Sequence, residues 1–182
     1  MKQEEYGSIR KATCVLHNEQ EFLKKIRSIA KRHDVIIVAV SDRLIAGPAH
    51  IQTAVRCALR AMNEGTMITR SPEMEILAYA AATRQTQEAS RFGIHTGEND
   101  VFLCMIPSCN EALDDCAELE EISFDGEEWT SVPEHTPFLP TPEQKREIMT
   151  YFSISPDELA IVGEEEFTAL VCERVVLLAI NK

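Results

Sequence analysis

The sequence is short of what would anchor a chain in a membrane or send it to a secretory route. No apolar stretch approaches the roughly 20 residues that a bilayer-spanning helix needs. Val35 to Val40 is only six residues long, and the C-terminal apolar run is cut by Glu173-Arg174. The opening Met1-Lys2-Gln3-Glu4-Glu5-Tyr6 carries no apolar signal core. The expectation is a cytoplasmic protein with no membrane partner. Catalytic signatures are missing too. There is no G-x-x-x-x-G-K, G-x-G-x-x-G, H-E-x-x-H or G-x-S-x-G, so nucleotide-dependent transfer, zinc proteolysis and ordinary serine hydrolysis lack their local machinery. Aromatic residues are sparse, with 7 Phe, 3 Tyr and 1 Trp in 182 residues.

Cysteine is present but scattered, at positions 14, 57, 104, 109, 116 and 172. A chain of this length with 45% apolar residues builds an adequate core without staples, so these read as reduced, mostly buried thiols. Cys104, Cys109 and Cys116, with His95 or His135, come nearest to a metal set. Their intervening gaps of four and six residues miss the closer pairing of structural zinc ligands. The acidic cluster Asp114, Asp115, Glu118, Glu120 and Glu121 lacks an EF-hand pattern and reads as solvated surface. No metal and no cofactor are expected.

The net charge of -12 is unevenly spread. Residues 1–95 carry a balance of +4 and residues 96–182 a balance of -16. An acidic protein is a poor wrapper of duplex nucleic acid, because phosphate neutralisation drives that mode. The N-terminal half still gathers Arg56, Arg60, Arg70, Arg84 and Arg91.

Periodicity predicts an α/β fold in one domain over 1–182: a small mixed sheet covered by helices, with an apolar helix at the C-terminus. Strands are expected near 9–16, 35–40 and 100–106, the second wholly apolar and β-branched as in a doubly covered strand. Helices are expected over 19–32, 48–63 and 72–92, with Asn18 as a cap and Pro48 and Pro72 in first turns. Residues 107–140 read as an acidic, Pro-containing insertion or linker, with a short helix at 110–121 and a turn at Asp125-Gly126. Further helices start at Thr141-Pro142 and Ser155-Pro156, and the last runs from Glu164 to about Ile180.

Two features rise above this background. Thr69-Arg70-Ser71-Pro72 places an arginine just before a helix N-terminus, where free N–H groups and the dipole favour phosphate. The terminal helix is apolar nearly all round in its last turns, so it either joins its own core or is covered by a partner. His50 follows Gly47-Pro48 and is open to two readings, a base or nucleobase-stacking group on one side and a hydrogen-bonded surface residue on the other.

Gly47-Pro48-Ala49-His50, Met67 to Tyr79 with its "M-E-I-L-x-Y" segment, Thr83-Arg84-Gln85 and Glu173 to Leu178 together resemble the kinase-binding small subunit of the KEOPS complex, in its archaeal type. The likeness covers about residues 9–106 and 141–180, and the order and spacing of its short motifs carry it. It implies a non-enzymatic accessory subunit that docks on the complex's small atypical kinase, meets the other subunits indirectly, and helps hold tRNA by its 3′ CCA end. The substrate reaction is threonylcarbamoylation of the adenosine next to the anticodon. By position the resemblance makes Arg70, Arg84 and Gln85 tRNA contacts, with His50, Arg56 and Arg60 as further ones, and makes Leu170, Arg174 and Leu177 kinase contacts. The chain departs from the pattern where a glycine before the Arg-Gln step is replaced by Ala82-Thr83, and in the length of its acidic stretch. Two other readings stand beside this one: a small RNA-processing enzyme using His50, and a purely structural adaptor.

Overall fold

The structure is a computed structural model and describes residues 7–107, 128–131, 138 and 140–180. The chain divides into two compact units, one of Met1–Asp42 with Gly93–Thr136, the other of Arg43–Phe92 with Pro137–Lys182.

The first unit is a sheet with one helix. Strand β1 (Ser8–Leu16), helix α1 (Glu19–His33) and strand β2 (Val35–Ser41) follow one another, and β3 (Gly97–Pro107) and β4 (Glu128–Ser131) complete the sheet. Strand order is β2-β3-β1-β4 and every pairing is antiparallel. The α/β layer is as expected, but the sheet is antiparallel rather than mixed. β1 and β2, joined through α1, run the same way, and β3 inserts between them, as in a split βαβ unit. β4 lies within the stretch read as an insertion. The helix expected at 110–121 and the turn at 125–126 lie outside the described residues.

α1 forms because Asn18 accepts hydrogen bonds from the backbone N–H groups of Gln20 and Glu21, and because Phe22, Ile26 and Ala30 repeat at helical spacing. That stripe meets Ala12, Cys14 and Leu16 of β1, Ile37 and Ala39 of β2, and Val101, Leu103 and Met105 of β3 in one continuous core. Truncating Phe22, which is wholly buried, would cost about 3–5 kcal/mol by loss of transfer energy plus the cavity left behind. Cys104, the first member of the nearest metal-like set, is a fully buried strand residue. Burial pushes its thiol up to about 12. Cys109 and Cys116 lie outside the described residues.

The second unit is helical: α2 (Pro48–Asn63), α3 (Pro72–Ala80), α4 (Thr86–Ala89), α5 (Pro142–Tyr151), α6 (Pro156–Val162) and α7 (Phe167–Ile180). Four of these start with proline, whose missing N–H costs nothing in a first turn. Ser71, Thr141 and Ser155 cap their helices through side-chain oxygens, and Gln144 completes a reciprocal capping box with Thr141. Among the described residues, no helix is long and apolar enough to cross a membrane.

The helical span expected over 72–92, which the sequence leaves either continuing or breaking near Thr83, is broken there. α3 ends in a Schellman motif in which Ala82 N–H donates to Tyr79 O at 2.9 Å and Thr83 N–H donates to Ala78 O at 3.0 Å. The motif forces Ala82 to φ +47°. The chain restarts as α4, then a 3-10 turn over Ser90–Phe92. The left-handed region costs an L-residue about 1–2 kcal/mol, and glycine gives back about 0.4–1 kcal/mol of that by loosening the unfolded chain. Ala82→Gly should therefore stabilise the protein by about 0.5–1 kcal/mol. The check is a rise in urea midpoint at unchanged slope, with Ala82→Val moving the midpoint the other way.

Candidate functional site

Within the helical unit, the segment carrying Arg84 and Gln85 is fixed from below by buried polar ties. Gly47 precedes Pro48 with φ +147°, a conformation that suits glycine, and turns the chain into α2. One turn on, His50 is fully buried. Its Nδ1 accepts from the Ala46 N–H at 3.2 Å, which puts the ring proton on Nε2, 2.9 Å from the Ala80 carbonyl. This tautomer is assigned from the two partners. Ala46 is held on its other side, its carbonyl accepting from Thr168 Oγ1 at 3.0 Å.

The last carbonyls of α3 would otherwise lack partners. Ala80 O receives His50, and Ala81 O receives the Tyr151 hydroxyl at 3.2 Å. Together with the Schellman bonds these pin the end of α3. Gln85 N–H then donates to Thr83 Oγ1 at 3.2 Å, so the 82–85 turn presents Arg84 and Gln85, both exposed, from a fixed backbone. An aromatic group supports the turn. Phe92 lies 5.2 Å from Tyr151 and 6.3 Å from Phe152, and Phe152 meets the His50 ring edge-on at 5.4 Å. Arg91 sits over the Tyr151 ring at 5.9 Å.

A second tie holds the segment before α3. Glu75 is wholly buried. Its Oε1 accepts from Ile68 N–H at 2.9 Å, and its Oε2 accepts from Thr69 N–H at 2.7 Å and from Thr69 Oγ1 at 2.8 Å. A buried carboxylate is tolerated only with such donors. The bonds fix residues 68–69, and the next residue, Arg70, projects into solvent with no ion pair among the described residues. Arg84 lies close enough to Tyr79 to pull its hydroxyl down, against burial, Glu75 and Cys57, which push it up more strongly. Arg60 is exposed and paired to Glu64 at 2.7 Å. Arg56 is exposed with no ion pair among the described residues and lies beside the Cys57 and Cys172 thiols.

α7 presents the other candidate surface. Phe167, Leu170, Val171 and Val175 face inward, and Thr53 of α2 donates to Cys172 Sγ at 3.5 Å. Glu173, Val176, Leu177 and Ile180 fall at i, i+3, i+4 and i+7 on the solvent side. The three apolar ones are 40%, 38% and 67% exposed. Such an apolar stripe on one helix face is the geometry that helix-in-groove docking reads.

Residues 14–179 match the family model described as kinase binding protein CGI-121. The chain belongs to that family. No curated protein matches it. Within this CGI-121 family member, the residues expected to act together divide sharply. Arg56, Arg60, Arg70, Arg84 and Gln85 are all exposed, and Arg60 is paired to Glu64. His50, expected as a tRNA contact, is a buried tie with both ring nitrogens engaged, so it has no surface to offer a nucleotide. Leu170 is spent on its own unit's core, and Arg174 is paired to Glu158 at 2.6 Å. Of the three expected kinase contacts, Leu177 alone lies in the outer stripe. Val176 and Ile180 were missed, although counting three and four residues back from Ile180 would have found that stripe. Tyr151 was missed because nothing in its local sequence marks it, and Glu75, though part of the "M-E-I-L-x-Y" segment, was given no role because its burial depends on residues 68 and 69 folding back onto it.

The buried His50 gives the fold a pH dependence. Burial lowers its pKa from 6.5 to about 4, because the low-dielectric site disfavours the charged ring. The unfolded chain therefore binds the proton more tightly. His50's contribution is fully present above pH 6.5, falls as pH drops toward 4, and levels off below that. The total is on the order of 3 kcal/mol. His50→Gln should be about 1–3 kcal/mol less stable at pH 7 and should lose this slope between pH 6.5 and 4, as read from urea midpoints across a pH series.

Proposed function

We propose that this kinase-binding-family chain is a non-catalytic accessory subunit of the KEOPS complex. It docks on the complex's small atypical kinase through Val176, Leu177 and Ile180 and helps hold tRNA by its single-stranded 3′ CCA end. Its part in threonylcarbamoylation of the adenosine beside the anticodon is to position substrate. The observation that carries the docking half is the outward apolar stripe of α7 in a chain of this family.

The tRNA half is supported by arginines mounted on fixed backbone. A guanidinium on an immobilised turn loses little backbone freedom when it meets phosphate, and charge-assisted bonds of that kind are among the stronger ones. Single-stranded ends also need surfaces on which bases stack. Tyr79 and Phe92, the aromatics among the arginines in sequence, are both buried. The half-buried Tyr151 under Arg91 is the aromatic within reach of solvent in this group. The RNA-processing reading is disfavoured by His50, whose ring nitrogens are both committed to backbone groups.

A single panel of variants tests both halves. Arg70→Glu and Arg84→Glu should each weaken tRNA binding by about 1–3 kcal/mol, trimming the CCA end should act similarly, and all these effects should shrink at high salt. Leu177→Glu should abolish kinase capture at unchanged melting temperature, since an interface buries an unpaired carboxylate only at a cost of several kcal/mol. Val175→Glu, on the inward stripe, should unfold the protein. Full tRNA affinity in both arginine variants would refute the RNA site. Kinase capture surviving Leu177→Glu would refute the docking face, and tRNA cleavage lost in His50→Ala would favour the enzyme.

A further inference from the structure

We propose that the solvent face of α1 binds the phosphate backbone of an RNA duplex, as a second RNA surface in the sheet unit. The proposal rests on the tRNA reading above for the class of its partner. The observation is a run of like charge that the rest of the protein does not repeat. From Phe22 to His33 the helix carries Lys24, Lys25, Arg27, Lys31 and Arg32 and no carboxylate, and all five cations are exposed. The whole chain is at -12.

Elsewhere several cations meet carboxylates: Lys11 on Asp42, Arg43 on Glu147, Arg91 on Glu88, Lys145 on Glu164 and Arg174 on Glu158. Among the described residues no ion pair involves Lys24, Arg27, Lys31 or Arg32. The helix dipole favours cations in a last turn and so accounts for Lys31 and Arg32. It does not account for Lys24 and Arg27, which repel one another in the middle of the helix and would be relieved by an anionic partner.

Geometry narrows that partner. Lys24, Arg27 and Lys31 are spaced i, i+3 and i+7 along one line, about 10 Å of axis at 1.5 Å per residue. A nucleic-acid duplex offers several phosphates over that length. A membrane surface fits less well, because interfacial helices need an exposed apolar face, and here Phe22, Ile26 and Ala30 are buried while Leu23 and Ile29 pack against the sheet core. A tRNA presents both kinds of target, a duplex stem and a single-stranded end, so two weak contacts on one ligand would reinforce each other.

The test separates the two surfaces with two probes: a blunt RNA duplex with no single-stranded end, and a single-stranded oligonucleotide ending in CCA. Binding is measured over a salt series. The combined Lys24→Glu, Arg27→Glu, Lys31→Glu protein should bind the duplex at least ~10-fold more weakly at ~0.1 M salt, with the salt slope reduced by roughly three. It should keep wild-type affinity for the single strand. Arg70→Glu with Arg84→Glu should show the reverse pattern. The matching three changes to Gln, which add no new repulsion, should fall between wild type and the reversal. Duplex binding unchanged in the reversed and Gln variants, or wild-type protein that ignores the duplex, would overturn the proposal. So would wild-type protein that binds phosphatidylserine vesicles in its place. Failure of the single-strand arm alone would overturn the CCA site and leave this one standing.

Discussion

A carboxylate with no exposed surface at all, Glu75, sits at the centre of the helical unit's organisation. Removing an acid from water is expensive, and what offsets the cost here is a set of three donors, all drawn from residues 68 and 69. The exchange is reciprocal: the segment satisfies the carboxylate, and the carboxylate fixes the segment. His50 does the same one helix away, joining the Ala46 N–H to the Ala80 carbonyl. Between them, the beginning and the end of α3 are tied into the interior, and the arginines that flank it, Arg70 and Arg84, project from stationary backbone.

That arrangement is what makes the proposed RNA contact compatible with a net acidic chain. Total charge governs nonspecific attraction, whereas a few guanidinium groups on rigid turns govern a specific contact. The apolar stripe of α7 follows the same division of labour. α7 buries one side to hold the helical unit together and leaves Val176, Leu177 and Ile180 exposed, the stripe proposed for the kinase. The two surfaces differ in chemistry, one polar and salt-sensitive and the other apolar, so a partner protein and an RNA can occupy them without competing for the same side chains.

Much of the fold was legible in the sequence because its signals are local. A β-branched run such as Val35 to Val40 reads as a buried strand, and Asn18, Pro48, Ser71-Pro72, Thr141-Pro142 and Ser155-Pro156 mark helix starts by cap chemistry that needs no knowledge of the rest of the chain. What could not be read is tertiary. A break near Thr83 was open in the sequence but not decided by it, since no glycine marks Ala82; it is imposed by hydrogen bonds to Ala78 and Tyr79 with Tyr151 arriving from far along the chain. His50 read as a surface residue because a helix's first turn is usually exposed. Its burial depends on Ala46, Ala80 and Phe152 converging on it. Glu75 was given no role, and Leu170 was placed at the docking face by resemblance. The direction each side chain takes was settled by neighbours that sequence spacing does not reveal.

The most direct measurement is amide hydrogen exchange at Ile68 and Thr69, paired with tRNA affinity, in Glu75→Gln. The substitution keeps the size of the side chain but turns one acceptor oxygen into a donor facing a donor. It also removes a negative charge, which by electrostatics alone would strengthen phosphate binding. If Glu75 holds the segment that carries Arg70, both amides should exchange faster and tRNA should bind more weakly despite the more favourable charge. Unchanged exchange at Ile68 and Thr69, or tRNA binding equal to or tighter than wild type, would contradict the role assigned to this carboxylate.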